Sequence, residues 1–376
     1  MSTTEDTLEL AANVRTLAAL ELPERITPDA ALAIGWSRHA RAQGHHDEAV
    51  DVLVRSLRSG QWERPRLWSE LVTLITDVSD HDRIRTLFLD SPTPCHTHES
   101  ILRSVARSAC ICGAHDEGRA LLRKAIIERH KRSTATRSRV RELPARLRRE
   151  PDPAPSSGKA DRFAKDATRA LEDLADALAG TDARLFLIGG TLLGHVRDGG
   201  FISWDKDIDL GVFAWEAEGP TLEQACARHG AFSVRRLDLN SDRLRVNHAN
   251  GTMIDVFPHH RREDGRVYHD GAATRWVNDP FELTETTFAG VPVWQPADAE
   301  AYLAESYGPR WREPDPEFDA RFDKPNVEVI DQPYLDSLKY FGLLDALIKD
   351  NGAKQQRFAR MLRELGEGRW VARVIA

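Results

Sequence analysis

Apolar and polar positions follow two rhythms along this chain, and the change falls near its middle. Up to about residue 132 apolar residues recur every three or four positions, one helix after another. "DRFAKDATRALEDLADALAG", Asp161 to Gly180, keeps helical spacing and stops at a glycine. Then the period shortens. "RLFLIGG", Arg184 to Gly190, is an apolar run of strand length, and Thr191 suits the start of a helix over "TLLGHVRDGG". "FISWDKDIDLGVF", Phe201 to Phe213, reads as the next strand, and "FSVRRLD", "RLRVNHA" and "TMIDVFP" alternate as strands do. Asn250-Gly251 and Asp264-Gly265 supply hairpin turns. The expected fold is α + α/β: a helical domain over residues 1–132, then a mixed α/β domain over 163–376 whose sheet is built largely from hairpins.

The helical part repeats itself. "ARAQGHHDEAVDVLVRSL", from Ala40, recurs as "ARSACICGAHDEGRALLRKAI", from Ala106, so that Gly44 matches Gly113, Asp47 matches Asp116 and Glu48 matches Glu117. That offset is 69 residues, and half of it points to a middle copy around Ser79 and Asp82. A unit of 34 to 35 residues built as helix, turn, helix resembles tetratricopeptide-type repeats. The resemblance implies a concave surface for a protein partner or for self-association. Residues 133–162, first basic and then rich in Pro and Ser, read as a linker.

Composition narrows the classes of function. Charged residues make up 30% of the chain and hydrophobic ones 41%, as in a globular protein. A net charge of -7 argues against a nucleic-acid partner, which calls for a basic face. No run of about 18 apolar residues suggests a transmembrane segment, and "MSTTEDTLEL" lacks a secretory pattern, so the expectation is a cytoplasmic protein. Any attachment to the inner face of the membrane is then peripheral, through a partner or the basic linker. Four cysteines without metal-site spacing read as reduced thiols.

The chemistry concentrates between Leu185 and Phe213. Asp205, Asp207 and Asp209 stand at alternate positions, and on an extended strand alternate side chains share a face. Three adjacent carboxylates repel one another unless a cation neutralises them. Asp255, in "TMIDVFP", offers a fourth carboxylate from a neighbouring strand. Upstream, Gly189, Gly190 and Thr191 end a strand and open a helix, where backbone N–H groups can receive a phosphate. Oxygen ligands with room for substrate phosphate suit Mg²⁺, or Mn²⁺ in its place.

"GGTLLGHVRDGGFISWDKDIDLGVF", "IDVFP" and "FAGVPVWQPADAEAYLAESYGPRW" resemble, in that order, the LicD and fukutin group of phosphotransferases. The resemblance covers roughly Leu185 to Trp311. It implies a nucleotidyltransferase-like fold and transfer of a phospho-alcohol, such as phosphocholine, ribitol phosphate or glycerol phosphate, from a CDP-activated donor to a glycan hydroxyl, with release of CMP. It makes Asp207 and Asp209 the central metal ligands, with Asp205 and Asp255 completing the site. It gives donor phosphate to Gly189, Gly190 and Thr191, and phosphate neutralisation to Arg197. Lys206 and Lys324 are further candidates to meet phosphate, Lys324 from what reads as a surface loop, and His248 is a candidate proton acceptor. His195 and Ser203 stand where the group's pattern differs. Three rivals use the same residues differently: nucleotidyl transfer from a nucleoside triphosphate, a DxD-type glycosyltransferase, and a non-catalytic adaptor built on the repeats.

Overall fold

The computed structural model describes residues 29–142, 157–203, 205–216, 222–315 and 317–375, and its contacts divide the chain into two units. In the first, helices follow in couples: Ala30–Ala42 packs on His46–Ser56 and Glu99–Ile111 on His115–Glu142, while Pro65–Val72 and Asp80–Asp90, consecutive in sequence, each pack on Glu99–Ile111. The leading helices begin at residues 30, 65 and 99, so the pairs recur at the expected 34 to 35 residues. Gly44 and Gly113 turn the outer two pairs at φ 80° and 82°, a left-handed conformation that glycine adopts without a steric penalty. Bidentate hydrogen bonds from Arg38 to Glu70, 3.0 and 2.7 Å, tie the first pair to the second.

Residues 331–375 belong to this helical unit, whereas the sequence pattern assigned everything after 163 to the sheet domain. The reason is an apolar face on Gln332–Ile348: Leu335, Leu343, Leu344 and Leu347 are buried, and this helix packs along His115–Glu142. Gly342 allows the packing that follows, since a Cβ there would stand 2.4 Å from the ring of Phe358. Arg103 and Arg123 add ion pairs to Asp345 and Glu367. The expected linker is also shorter than 133–162. His115–Glu142 continues through its basic start, Ser157–Leu178 begins before its end, and 143–156 lies outside the described residues.

The second unit, up to Ile330, is organised by a ten-stranded sheet. Its strands are β1 Phe186–Leu187, β2 Asp207–Phe213, β3 Phe232–Arg236, β4 Leu244–His248, β5 Met253–Arg261, β6 Val267–Asp270, β7 Thr274–Asn278, β8 Leu283–Phe288, β9 Val291–Pro296 and β10 Val327–Val329. The order is β10-β7-β6-β5-β2-β1-β9-β8, with β4 beside the first half of β5 and β3 beside β4. Most neighbours are antiparallel, as the hairpin turns predict; Gly251 and Gly265 make two of those turns at φ 95° and 87°. The parallel pairings of β2 with β5 and of β1 with β9 were not foreseen, and the first of them carries the site.

Helix Ser157–Leu178 explains its own placement. Ala167, Ala170, Leu171, Leu174 and Leu178 recur at three- and four-residue intervals, and all are buried in the core with Phe186, Ile208, Leu210, Ile254 and Val256. Each such leucine contributes about 1.5–3 kcal/mol of apolar burial. The four cysteines are free, and among the described residues no helix is long and apolar enough to cross a membrane.

Candidate active site

The glycine pair and β2 are held together by reciprocal hydrogen bonds. The Gly190 N–H donates to Asp209 Oδ2 at 3.2 Å, and the Asp209 N–H donates to Thr191 Oγ1 at 2.8 Å. Thr191 therefore does not start the helix, which runs Gly189–Asp198; its buried hydroxyl fastens β2 instead. Gly189 has φ 55°, and a Cβ on it would lie 2.6 Å from Asp209 Oδ2. A Cβ on Gly190 would lie 3.3 Å from Asp205 Oδ2. Both glycines thus leave space that carboxylates fill, at the first turn of a helix whose free N–H groups favour anions.

Only two of the three alternating aspartates are strand residues. Asp207 and Asp209 share one face of β2, while Asp205 precedes it in a turn closed by its N–H on the carbonyl of Ile202, 3.0 Å. Asp255 sits opposite Asp209 in the β2–β5 register, so the four acidic positions do gather. Crowding shows in their acidity. Burial, then Asp207 and Asp255, pushes the Asp209 carboxyl up to about 7; burial, then Asp207, pushes Asp205 up to about 6. Asp207 is raised too, by burial and then by Asp255. Hard oxygen donors with unrelieved negative charge fit a divalent cation. Among the described residues, however, no three His, Cys, Asp or Glu side chains form a preassembled metal-holding group.

Asp255 has a different immediate partner. Arg245, facing it across the β4–β5 ladder, donates Nε to Oδ1 at 2.6 Å and an Nη to Oδ2 at 2.7 Å, and stands 3.7 Å from Asp207. Sequence reasoning missed Arg245. Its signal was an arginine between the apolar Leu244 and Val246, on the opposite strand face from them. His248 is not placed for catalysis: it shares the Leu244 and Val246 face, Asp173 Oδ2 lies 2.9 Å from its Nε2, and the Asn250 N–H donates to its Nδ1 at 3.2 Å. Both ring nitrogens are engaged: Nε2 joins β4 to helix Ser157–Leu178, and Nδ1 holds the turn that follows β4.

The remaining candidates separate by exposure. Lys206 is exposed just before β2. Arg197 is nearly buried and pairs bidentately with Asp198, 2.9 and 2.8 Å. Lys324 is not a surface residue: it is 7% exposed, with Nζ 4.9 Å from the ring centroid of Tyr307 and 5.5 Å from that of Trp276. Burial lowers its pKa to about 8, and Asp209 opposes that shift. His195, close to Thr286 Oγ1 at 3.3 Å, packs edge-on against Phe288 and is lowered by burial. Ser203 is exposed. A cavity of about 610 Å³ opens from Gly190 over Arg197 to Tyr307, Arg310, Trp311 and Phe318. That volume suits a ligand of nucleotide or sugar size.

Comparison with known proteins agrees with this geometry. Residues 182–298 match the family described as LicD/FKTN/FKRP, nucleotidyltransferase domain. The mouse ribitol-5-phosphate transferase FKTN is 25% identical over 304 residues, 78% of this chain and 56% of its own length. The human protein of that name is 25% identical over 173 residues, 44% of this chain and 37% of its own. Human ribitol 5-phosphate transferase FKRP is 25% identical over 157 residues, 38% and 32% of the two chains. The chain thus spans about half, or less, of the length of these curated relatives. The glycine pair, Asp205, Asp207, Asp209 and Asp255 all lie inside the matched segment, so the part of the sheet unit that carries the site is similar to the LicD/FKTN/FKRP nucleotidyltransferase domain.

Proposed function

We propose that this protein transfers a phospho-alcohol (phosphocholine, ribitol phosphate or glycerol phosphate) from a CDP-activated donor to a hydroxyl of a cell-surface or lipid-linked glycan, releasing CMP. The observation that carries the proposal is the packing of Asp205 and Asp209 against Gly189 and Gly190 at the N-terminus of a helix, where Gly190 also lines a cavity. The names of the relatives support the phospho-alcohol class.

Asp207 and Asp209 would hold Mg²⁺ or Mn²⁺, with Asp205 closing the site from the preceding turn. Such an ion, when bound, neutralises phosphate oxygens as charge develops on them. The protein's own groups supply orientation. The first-turn N–H groups face incoming phosphate, and Arg197, fixed by Asp198, lies along the cavity with its planar donor fork. Asp255 acts from behind by fixing Arg245, whose charge tempers that of Asp207. The acceptor hydroxyl would give its proton to one of the site's aspartates as its oxygen forms the new bond to phosphorus and the bond to CMP breaks. The inner face of the membrane suits glycan modification, with attachment through the basic segment after Lys131 or a partner on the helical unit.

The domain's description also favours a second reading, nucleotidyl transfer from a nucleoside triphosphate. A screen of CDP-choline, CDP-ribitol, CDP-glycerol, ATP and UDP-sugars with Mg²⁺ or Mn²⁺ separates them. CMP from one CDP-alcohol supports the proposal; pyrophosphate from ATP supports the second reading, and UDP a glycosyltransferase.

A further inference from the structure

Lys324 lies beyond the matched family segment, yet the charge of Asp209 acts on its ammonium. The short helix Ala320–Asp323 ends at Lys324, and the Val327 N–H closes a turn on its carbonyl at 3.3 Å before β10 begins. Val327 pairs with Trp276 in the β10–β7 register, which puts the lysine above that indole. On the other side Pro325 backs onto the corner after Tyr307, with its Cγ 3.7 Å from where a Cβ of Gly308 would be. The backbone is therefore fixed at both ends, and the side chain is enclosed between two rings.

Nζ itself stays within reach of solvent, since it is not one of the buried side-chain atoms left without a hydrogen-bond partner. It carries three N–H donors, and rings attract a cation without accepting conventional hydrogen bonds. Among the described residues no side chain or carbonyl accepts a hydrogen bond from Nζ, and Asp209 is the carboxylate whose charge acts on it. An ammonium whose residue is otherwise buried but whose donors remain open can offer them to an anion's oxygens. Tyr307 connects this position to the cavity, because the same ring lines it.

We infer that Lys324 is a phosphoryl-binding residue, whose Nζ takes a non-bridging oxygen of the donor's phosphate groups beside Tyr307 at the cavity wall. The inference rests on the function proposed above. It makes the lysine a group that touches substrate rather than a counter-ion of Asp209. Because the donors on Nζ point to phosphate, the nucleoside is bound without it.

The test is calorimetric titration of the full chain with CDP at saturating Mn²⁺, and with Mn²⁺ alone, for wild type, Lys324→Met, Lys324→Gln and Asp207→Ala. Thermal melts establish that each variant is folded, and the glutamine variant keeps a polar tip if methionine disturbs the packing. Losing a charge-assisted hydrogen bond should weaken CDP binding by about ten- to a hundredfold in both lysine variants, with Mn²⁺ affinity kept or raised. CDP affinity equal to wild type in the lysine variants, whether or not Mn²⁺ affinity shifts, would overturn the inference and leave a counter-ion. If that happens while Asp207→Ala loses CDP, the proposed function stands without it. A wild type that binds no CDP would overturn both.

Discussion

At the scale of single residues the site is defined by carboxylates that the fold makes reluctant to ionise. Burial, with the neighbouring carboxylates, pushes Asp205 up to about 6 and Asp209 up to about 7, from an ordinary range near 4. Because these pKa values are raised on folding, the folded protein holds protons that the unfolded chain releases. The stabilisation is complete below about pH 4 and is lost as pH rises through 6 to 7. In chelator, the melting temperature should therefore fall over that window, more steeply than in Asp209→Asn, and excess Mg²⁺ should restore it near neutrality. Parallel pH profiles for the two proteins would contradict this assignment. The aspartates and the glycine pair were visible in the sequence because they are local, spaced two apart or side by side. Arg245 on Asp255 and Asp173 on His248 were not, because each pair forms only once β4 is aligned with β5 or a distant helix docks.

At the scale of elements, the strand-to-helix turn at Gly189 sets the geometry. Alternation in the sequence located β2 and β5 and their turns, but it carries no information on which strands pair in parallel. Nor could it tell a threonine that caps a helix from one that fastens a neighbouring strand. Gly189→Ala places a residue at φ 55° and drives a Cβ into Asp209, so it should cost at least about 1–2 kcal/mol and remove activity. Gly199 provides the control: at φ 72° it has open space around its Cβ, so Gly199→Ala should show the backbone cost alone and remain active. Denaturant melts and turnover assays on both variants check the pair.

For the whole molecule, the helical period and the change of rhythm were legible, while the allegiance of the last segment was not. Gln332–Ile348 follows the sheet unit in sequence, but its apolar face belongs with His115–Glu142, a contact more than 200 residues distant along the chain. Truncation after Ile330 should accordingly strip hydrogen-exchange protection from 115–135 while β2 and β5 keep theirs. The reverse pattern would mean that the C-terminal segment supports the sheet. The central claim concerns the chemistry, and one assay tests it most directly: CMP release from a CDP-alcohol in Mg²⁺, for wild type and Asp207→Ala, with and without chelator. CMP release by the wild type that disappears with chelator and in Asp207→Ala is the predicted result. Undiminished release by a folded Asp207→Ala protein would contradict it.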